Sequence, residues 1–334
     1  MYKGKRIAVI IPAYNEAEFV GEVIETVPSF VDRIYPVDDC STDDTWHQIN
    51  RSALKVTLGA GEAVESGEQA LADGGNRNRV IPLQHDENRG VGGAIATGYK
   101  RALADDIDAI AVMNADGQMD PDILDRILDP VVEGKVDYAK GNRLLSEDHW
   151  EGMTRFRLFG NWTLTYLTRI ASGYWQMTDP QNGYTAISAE ALSLINLEAL
   201  YDEYGFLNDL LIRLNANDMR IADVEMSAVY GEESSSIKYR QFIPKLSWLL
   251  LRNFLWRLKT KYGSGDRVVA VPYITGIGGT MMLFAYLVAS VWVFGHYATL
   301  TASVVALLIS VLFILLGMWL EQSRSAAMEI IVRK

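Results

Sequence analysis

Cysteine is nearly absent, with Cys40 alone among 334 residues. No intrachain disulfide can form, which fits a reducing compartment. Histidine is scarce as well. His47, His85, His149 and His296 are scattered, and none has zinc-ligand spacing. Basic charge is in deficit, with 31 Lys and Arg against 42 Asp and Glu, a net charge of -11. That balance argues against a broad nucleic-acid-binding face, so no nucleic-acid partner is expected. No secretory leader is evident either. Met1 to Arg6 is basic, but Pro12, Asn15 and Glu16 interrupt the apolar run that follows. In one region charge disappears altogether: the 53 residues from Val268 to Leu320 contain no Lys, Arg, Asp or Glu. A membrane span takes about 20 apolar residues. Two spans fit this run, at roughly 270–294 and 298–320, turning at Gly295-His296-Tyr297.

Before that run the pattern is α/β, long enough for one large domain or two. Residues 6–11 read as a buried strand that ends in Pro12-Ala13-Tyr14-Asn15-Glu16, with helical spacing from Ala17 to Val27. Val31 to Val37 reads as a second strand. It ends in Asp38-Asp39-Cys40-Ser41-Thr42-Asp43-Asp44-Thr45. Paired acids at a strand end can accept hydrogen bonds from a base or a ribose. Ser41, Thr42 and the following acids can also cap the next helix. Residues 57–79 read as a surface excursion, and Val80 to Leu83 as a weak strand. Asn88-Arg89-Gly90-Val91-Gly92-Gly93 opens a helix running to about Ala104, and glycines there allow a phosphate to approach backbone N–H groups.

Ala109 to Met113 is the next strand, leading to Asn114-Ala115-Asp116-Gly117-Gln118. Such a cluster past a strand suits a hard cation, Mg²⁺ or Mn²⁺, shared with substrate phosphates. Taken alone it is also an ordinary acidic turn. A helix follows at 122–132, and then a strand from Val136 to Arg143. Arg143 suits either a diphosphate or a structural ion pair. Phe156 to Tyr174 reads as a helix, Thr178 to Thr185 as a polar loop, Gly205 to Leu214 as a helix, and Ile221 to Tyr230 as a last strand. Asp209 lies in the first turn of its helix, where a helix dipole favours it.

Residues 241–262 combine Trp248, Phe254 and Trp256 with Lys245, Arg252, Arg257, Lys259 and Lys261. This is the pattern of a helix lying on an anionic leaflet of the lipid bilayer. Cations before the first span, and Arg324, Arg333 and Lys334 after the second, place both termini and the first domain on the cytoplasmic side of a multi-pass cell-membrane protein. Gly276, Gly278 and Gly279 offer the hairpin a face for a second copy, a homo-oligomer. The expected divisions are 1–240, 241–266 and 267–334, the last being the hairpin with a short tail.

The four motifs at 12–16, 37–43, 88–90 and 114–118, in this order and spacing, resemble glycosyltransferase family 2. With the basic segment and the two spans, the chain looks most like its polyprenyl-phosphate glycosyltransferases. The resemblance covers residues 5 to about 240. It implies a Rossmann-like GT-A domain carrying an interfacial amphipathic helix and a C-terminal transmembrane hairpin. It also implies inverting transfer of a hexose from a UDP- or GDP-sugar donor to a polyprenyl or dolichyl phosphate acceptor. Pro12, Tyr14 and Glu16 would line the nucleotide pocket, with Asn114, Ala115 and Asp116 completing it. Asp39, with Asp38, would hold the base or ribose. Asp116 and Gln118, with Asn114, would hold Mg²⁺ or Mn²⁺. Arg143 falls where the family places a phosphate-binding Arg, and Asp209 near an acid used as base when the acceptor is a hydroxyl. Lys238 and Arg240 are further contacts for the acceptor phosphate.

The chain departs from the family pattern in three ways. Asn114 stands where the metal motif usually begins with Asp, which removes one negative charge. Cys40 stands where Gly is common. The Gln-x-x-Arg-Trp motif of processive synthases is missing, which argues against polymerisation. Three other readings stay open. One is transfer to a hydroxyl of a lipid-linked glycan. Another is a nicotinamide enzyme, prompted by Gly90-x-Gly92. The third is a non-catalytic sugar-nucleotide-binding membrane protein.

Overall fold

Ile7–Ala13 is an unbroken run without charge, the pattern of a strand covered on both faces. It forms β1, buried from end to end, inside an eight-stranded sheet. The computed structural model describes residues 1–58, 78–145, 155–226, 239–263, 267–294 and 300–333. The other strands are β2 (Arg33–Asp38), β3 (Leu83–Gln84), β4 (Ala109–Val112), β5 (Tyr138–Asn142), β6 (Thr185–Ser188), β7 (Ile221–Glu225) and β8 (Glu329–Val332). Their order is β3-β2-β1-β4-β6-β5-β7-β8. The first four are mutually parallel. β6 runs antiparallel between β4 and β5, and β7 and β8 continue parallel to β5.

The helices are α1 (Val20–Thr26), α2 (Thr45–Leu58), α3 (Gly90–Ala104), α4 (Leu124–Val132), α5 (Arg155–Ser172), α6 (Ala189–Ser193), α7 (Phe206–Ala216), α8 (Tyr239–Tyr262), α9 (Arg267–Phe294) and α10 (Leu300–Ser325). Side chains alternate faces along a strand. Ile7, Val9 and Ile11 therefore share one core with Ile24 of α1, Ile49 of α2 and Leu128 of α4. Ala8 and Ile10 share the other with Tyr99 of α3 and Leu210 of α7. This is the α/β arrangement expected from the sequence.

Two strands were not expected. β6 is only four residues long, too short to show alternation, and begins at the last residue of the segment read as a polar loop. β8 lies beyond the second apolar helix, in residues read as a short tail. It pairs with β7, Glu329 opposite Ile221 and Val332 opposite Val224. Of the excursion at 57–79, residues 59–77 lie outside the described residues, as do Lys238, the turn at 295–297 and the last four residues of the strand expected to reach Tyr230. The side chain of Arg240 is likewise not described.

α8 buries Leu246, Leu249 and Leu250 against Ala171 of α5 and Ile212 of α7. Its opposite face exposes Trp248, Leu251 and Leu255. α9 and α10 pack together, and both contain segments long and apolar enough to cross a membrane. The glycines expected to face a second copy are largely used within this pair. A Cβ on Gly276 would lie 2.6 Å from the Ser310 carbonyl oxygen, and one on Gly279 would meet the Ser310 hydroxyl at 2.5 Å. Gly278 alone of the three has open space around it.

The pair is keyed to the first domain through Arg257 of α8, which is fully buried. Its guanidinium donates to the Ala171 carbonyl (2.8 Å), to Asn215 Oδ1 of α7 (3.0 Å) and to Glu321 of α10 (2.5 Å). The Tyr262 and Tyr273 hydroxyls each donate to Glu321 at 2.9 Å. Removing one partner of a buried pair strands the other charge, at a cost of about 3–5 kcal/mol. Thermal unfolding in detergent should therefore show Arg257→Met strongly destabilised and Arg257→Met/Glu321→Met largely recovered. Strictly additive losses would contradict a coupled pair.

The loops after β1 and β2 brace each other. Asn15 N donates to Ser41 Oγ (3.0 Å), Thr42 N to Asn15 Oδ1 (2.8 Å), and Glu16 N to Thr45 Oγ1 (2.8 Å). Closing this contact puts Cys40 in the left-handed region, at φ 60. That conformation costs an L-residue about 1–2 kcal/mol, which accounts for the glycine common at this position. Cys40→Gly is expected to keep the melting temperature and Cys40→Val to lower it by several degrees. An equal loss in both variants would contradict the backbone explanation.

Candidate active site

A cleft of about 600 Å³ opens where the C-terminal ends of β1, β2 and β4 meet the N-terminus of α3. This is where open α/β sheets bind ligands, and the volume suits a nucleotide-sized molecule. Pro12, Tyr14 and Glu16 line it from the loop after β1, Asp39 from the end of β2, and Asn114, Ala115 and Asp116 from the end of β4. Seven of the residues expected from sequence thus meet in one cavity. Asn88, Gly90 and Val91 form another wall, and Glu203 and Tyr204 complete the rim. Lys245 of α8 pairs with Glu203 (3.1 Å), so the helix with the exposed apolar face abuts the cleft.

Asp39 is buried and its carboxylate is held from three sides. His85 Nδ1 lies 2.7 Å from Oδ1, the Arg89 amide donates to Oδ1 (2.9 Å), and the Gly90 amide donates to Oδ2 (2.7 Å). His85 is in turn 2.9 Å from Thr97 Oγ1. Sequence reasoning set His85 aside because it has no zinc-ligand spacing. Its place just after a strand end was the available signal. Asp38, expected beside Asp39, does not line the cleft. It is fully buried and accepts from Ser41 N (3.2 Å) and Gln84 Nε2 (3.0 Å), tying β2 to β3.

The glycines of α3 serve a purpose other than the expected phosphate contact. The amides of Gly92 and Gly93 donate to the Asp202 carbonyl, at 2.7 and 3.3 Å. A Cβ on Gly90 would stand 2.6 Å from that carbonyl oxygen, and one on Gly92 would collide with the Tyr201 carbonyl. The glycine run lets the 201–203 backbone lie against the helix, which carries the rim residues Glu203 and Tyr204 into place. The amides of Gly90, Gly92 and Gly93 are already taken by Asp39 and Asp202.

Around Asp116 the chain makes a tight turn. Asp116 Oδ1 accepts from Gln118 N (3.0 Å), and Gly117 takes φ 70. Asn114 and Asp116 reach the cleft, while Gln118 stands just outside it. Among the described residues, no cluster of three or more His, Cys, Asp or Glu is gathered for a metal. The turn itself offers one carboxylate, Asp116, and nearby amide oxygens, and the Glu16 and Asp39 carboxylates line the same cleft. That set fits a hard cation such as Mg²⁺ or Mn²⁺, which keeps waters and takes oxygens from substrate phosphates.

Two expected site residues do not line the cleft. Arg143 follows β5, and its guanidinium is forked onto Asp179, Nε to Oδ2 at 2.9 Å and Nη2 to Oδ1 at 3.0 Å. Burial opposes the Asp179 anion, but Arg143 holds its carboxyl below the usual range. The structural pair foreseen as one option for Arg143 is therefore present. About 40 % of the Arg143 side chain stays exposed. Asp209 is only 1 % exposed. It accepts from Tyr201 N (3.0 Å), Arg213 Nε (3.0 Å) and Asn253 Nδ2 of α8 (2.6 Å). Burial pushes its carboxyl up. With these three donors it ties the cleft rim and α7 to α8, and it presents no oxygen to an acceptor hydroxyl.

The model of the family described as glycosyl transferase family 2 matches residues 8–195. The UDP-N-acetylglucosamine–dolichyl-phosphate N-acetylglucosaminyltransferase of Methanococcus voltae is 30% identical over 231 residues, covering 69% of this chain and 88% of that protein. The undecaprenyl-phosphate mannosyltransferase of Micrococcus luteus is 28% identical over 236 residues, covering 69% and 86%. Among solved structures, glucosyl-3-phosphoglycerate synthase of Mycobacterium tuberculosis, in complex with Mn²⁺, UDP and glucosyl-3-phosphoglycerate, matches with a TM-score of 0.50 at 19% identity. That match covers 79% of this chain and 82% of the other, and the likeness is one of fold. The strand-end cleft, the Rossmann-like GT-A sheet around it and the match over residues 8–195 agree: the chain is a glycosyltransferase and belongs to glycosyl transferase family 2.

Proposed function

We propose that this protein moves a hexose from a nucleoside-diphosphate sugar to the phosphate of a polyprenyl lipid at a membrane surface. The observation that carries the proposal is the physical link between cleft and apolar surface. The cleft rim at Glu203 is paired to Lys245 of α8, and α8 exposes Trp248, Leu251 and Leu255 on its outer side. α8 is in turn locked by Arg257 to α10, one of the two helices able to cross a membrane. A long isoprenoid tail stays in the bilayer, so a transferase acting on it must work at that surface. The two curated relatives support the same acceptor, since their names give dolichyl and undecaprenyl phosphate while their sugars differ. The catalytic domain and both chain ends are assigned to the cytoplasmic side, from the cations flanking the apolar helices.

In this mechanism Pro12, Tyr14, Glu16 and Asp39 hold the nucleotide, its base UDP- or GDP-type. Asn114, Ala115 and Asp116 lie where the diphosphate meets the sugar. Asp116, with the amide oxygens of Asn114 and Gln118, would hold Mg²⁺ or Mn²⁺, which would supply positive charge to the leaving diphosphate. The acceptor is a phosphate monoester, whose second pKa is about 6, so it attacks as an anion without a strong base. The site's work is then positioning and charge stabilisation. In-line attack inverts the anomeric centre. Transfer to a hydroxyl of a lipid-linked glycan is the less favoured alternative, because it calls for a base and Asp209 is buried in three hydrogen bonds.

Asp116→Ala is expected to lower sugar transfer to polyprenyl phosphate by about 100-fold or more, the scale seen when one charge-stabilising group is lost. It should also weaken nucleotide binding in the presence of Mn²⁺ more than in EDTA. Near-normal transfer by the variant would remove Asp116 from the mechanism.

A further inference from the structure

After the apolar hairpin the chain returns to the first domain. β8 joins the sheet edge beside β7, and Glu329 is buried at its start. Its carboxylate grips the loop that follows α5 and lies against β7 and β8. Oε1 accepts from Trp175 N, and Oε2 from Gln176 N and Met177 N, each at 2.8 Å. The next amide, Thr178 N, donates to Asp223 Oδ2 at 2.9 Å. Four successive backbone N–H groups are thus taken by two buried carboxylates.

The residue after these four is Asp179, held in the left-handed region at φ 47, where a non-glycine residue stays only if its surroundings fix it. Asp179 is the partner of Arg143, through Nε, Nη2 and also the Arg143 backbone amide (3.2 Å). Asn182 Nδ2 reaches the same carboxylate at 3.2 Å. Gly183 lies against Asn114 of the cleft, with its would-be Cβ 3.0 Å from the amide oxygen. A continuous line of contacts therefore runs from the strand that follows the hairpin, through the 175–179 loop, to Arg143 and the cleft wall.

We infer that Glu329 is a positioning residue: it fixes the 175–179 loop so that Asp179 holds the partly exposed Arg143 guanidinium beside the cleft wall, for contact with the acceptor phosphate. The inference rests on the proposed function, in which an anionic lipid phosphate is the acceptor. A carboxylate is required for geometric reasons. Three N–H groups converge on it, and an amide in its place offers one acceptor oxygen and turns its own N–H₂ toward a donor. Because Glu329 follows α10 by only a few residues, the loop that holds Arg143 is tied to the end of the second apolar helix.

The test is calorimetric, on full-length protein in detergent, with farnesyl phosphate as the acceptor probe and farnesol as the uncharged control. UDP and GDP, each with Mn²⁺, are the nucleotide probes. Glu329→Gln and Arg143→Ala are each expected to raise the Kd of farnesyl phosphate about tenfold. Nucleotide Kd should stay within twofold, and farnesol binding should be unchanged. The double variant should be no weaker than Arg143→Ala, because Glu329 acts through Arg143. Ile331→Ala, exposed on the same strand, should bind like the wild type.

If Arg143→Ala weakens farnesyl phosphate and Glu329→Gln does not, the positioning role is overturned while the acceptor reading stands. If the wild type binds farnesyl phosphate and Arg143→Ala has no effect, the inference falls alone; if the wild type binds no farnesyl phosphate, the inference falls together with that reading. Equal weakening of nucleotide and acceptor would mark Glu329 as merely structural and overturn it too. Should Glu329→Gln fail to fold, Glu329→Asp is read the same way, since it keeps the charge and withdraws it by one methylene.

Discussion

The buried guanidinium of Arg257 is the contact on which the arrangement of this molecule depends. It joins the end of α5, α7 and α10 at one point, through the Ala171 carbonyl, Asn215 and Glu321. A single arginine so fully enclosed has few alternative geometries, so the helices it joins have a defined relation. Under the proposed function, with an acceptor tail confined to a bilayer, that relation would set the height of the cleft above the lipid. Glu329 makes a second attachment a few residues further on. Together they make the apolar hairpin a structural part of the catalytic domain, beyond the role of a tether.

A common device recurs across the molecule: buried carboxylates gripping backbone amides. Asp39 holds the first amides of α3, Asp223 and Glu329 hold the 175–178 loop, and Asp209 holds the rim at Tyr201. Asp39 and Asp209 fix backbone beside the cleft, and Asp223 and Glu329 fix the loop that runs from the start of β7 and β8 toward Arg143. This bears on how an acidic chain would bind the anionic substrates proposed for it. Much of its negative charge near the site is spent on its own N–H groups, leaving Asp116 as the carboxylate at the end of β4 for a cation. Asn114 fits the same economy, since it offers an oxygen without adding charge.

The cleft was legible in the sequence because strand-end residues announce themselves locally. Each of Pro12, Tyr14, Glu16, Asp39 and Asn114 to Asp116 directly follows a run of buried apolar residues, and the parallel order of β1, β2 and β4 brings those ends together. What was not legible depends on contacts distant in sequence. The glycines of α3 look like a phosphate cradle until the 201–203 backbone, more than a hundred residues later, is seen to fill the space. Asp209 looks like a free base until Asn253 and Arg213 are in place. β8 has four residues and no pattern of its own, and its partner strand lies across the apolar hairpin. Family likeness supplied the order of the motifs, but it could not supply these partners.

The central claim is that the acceptor is a lipid phosphate. The most direct measurement gives purified protein in detergent, with Mg²⁺ or Mn²⁺, each radiolabelled UDP- and GDP-sugar together with either a polyprenyl phosphate or a lipid-linked glycan. The account predicts label in an acid-labile lipid product formed from the polyprenyl phosphate, and from one donor above the rest. Label that enters only the lipid-linked glycan, or donor binding with no lipid product at all, would contradict it.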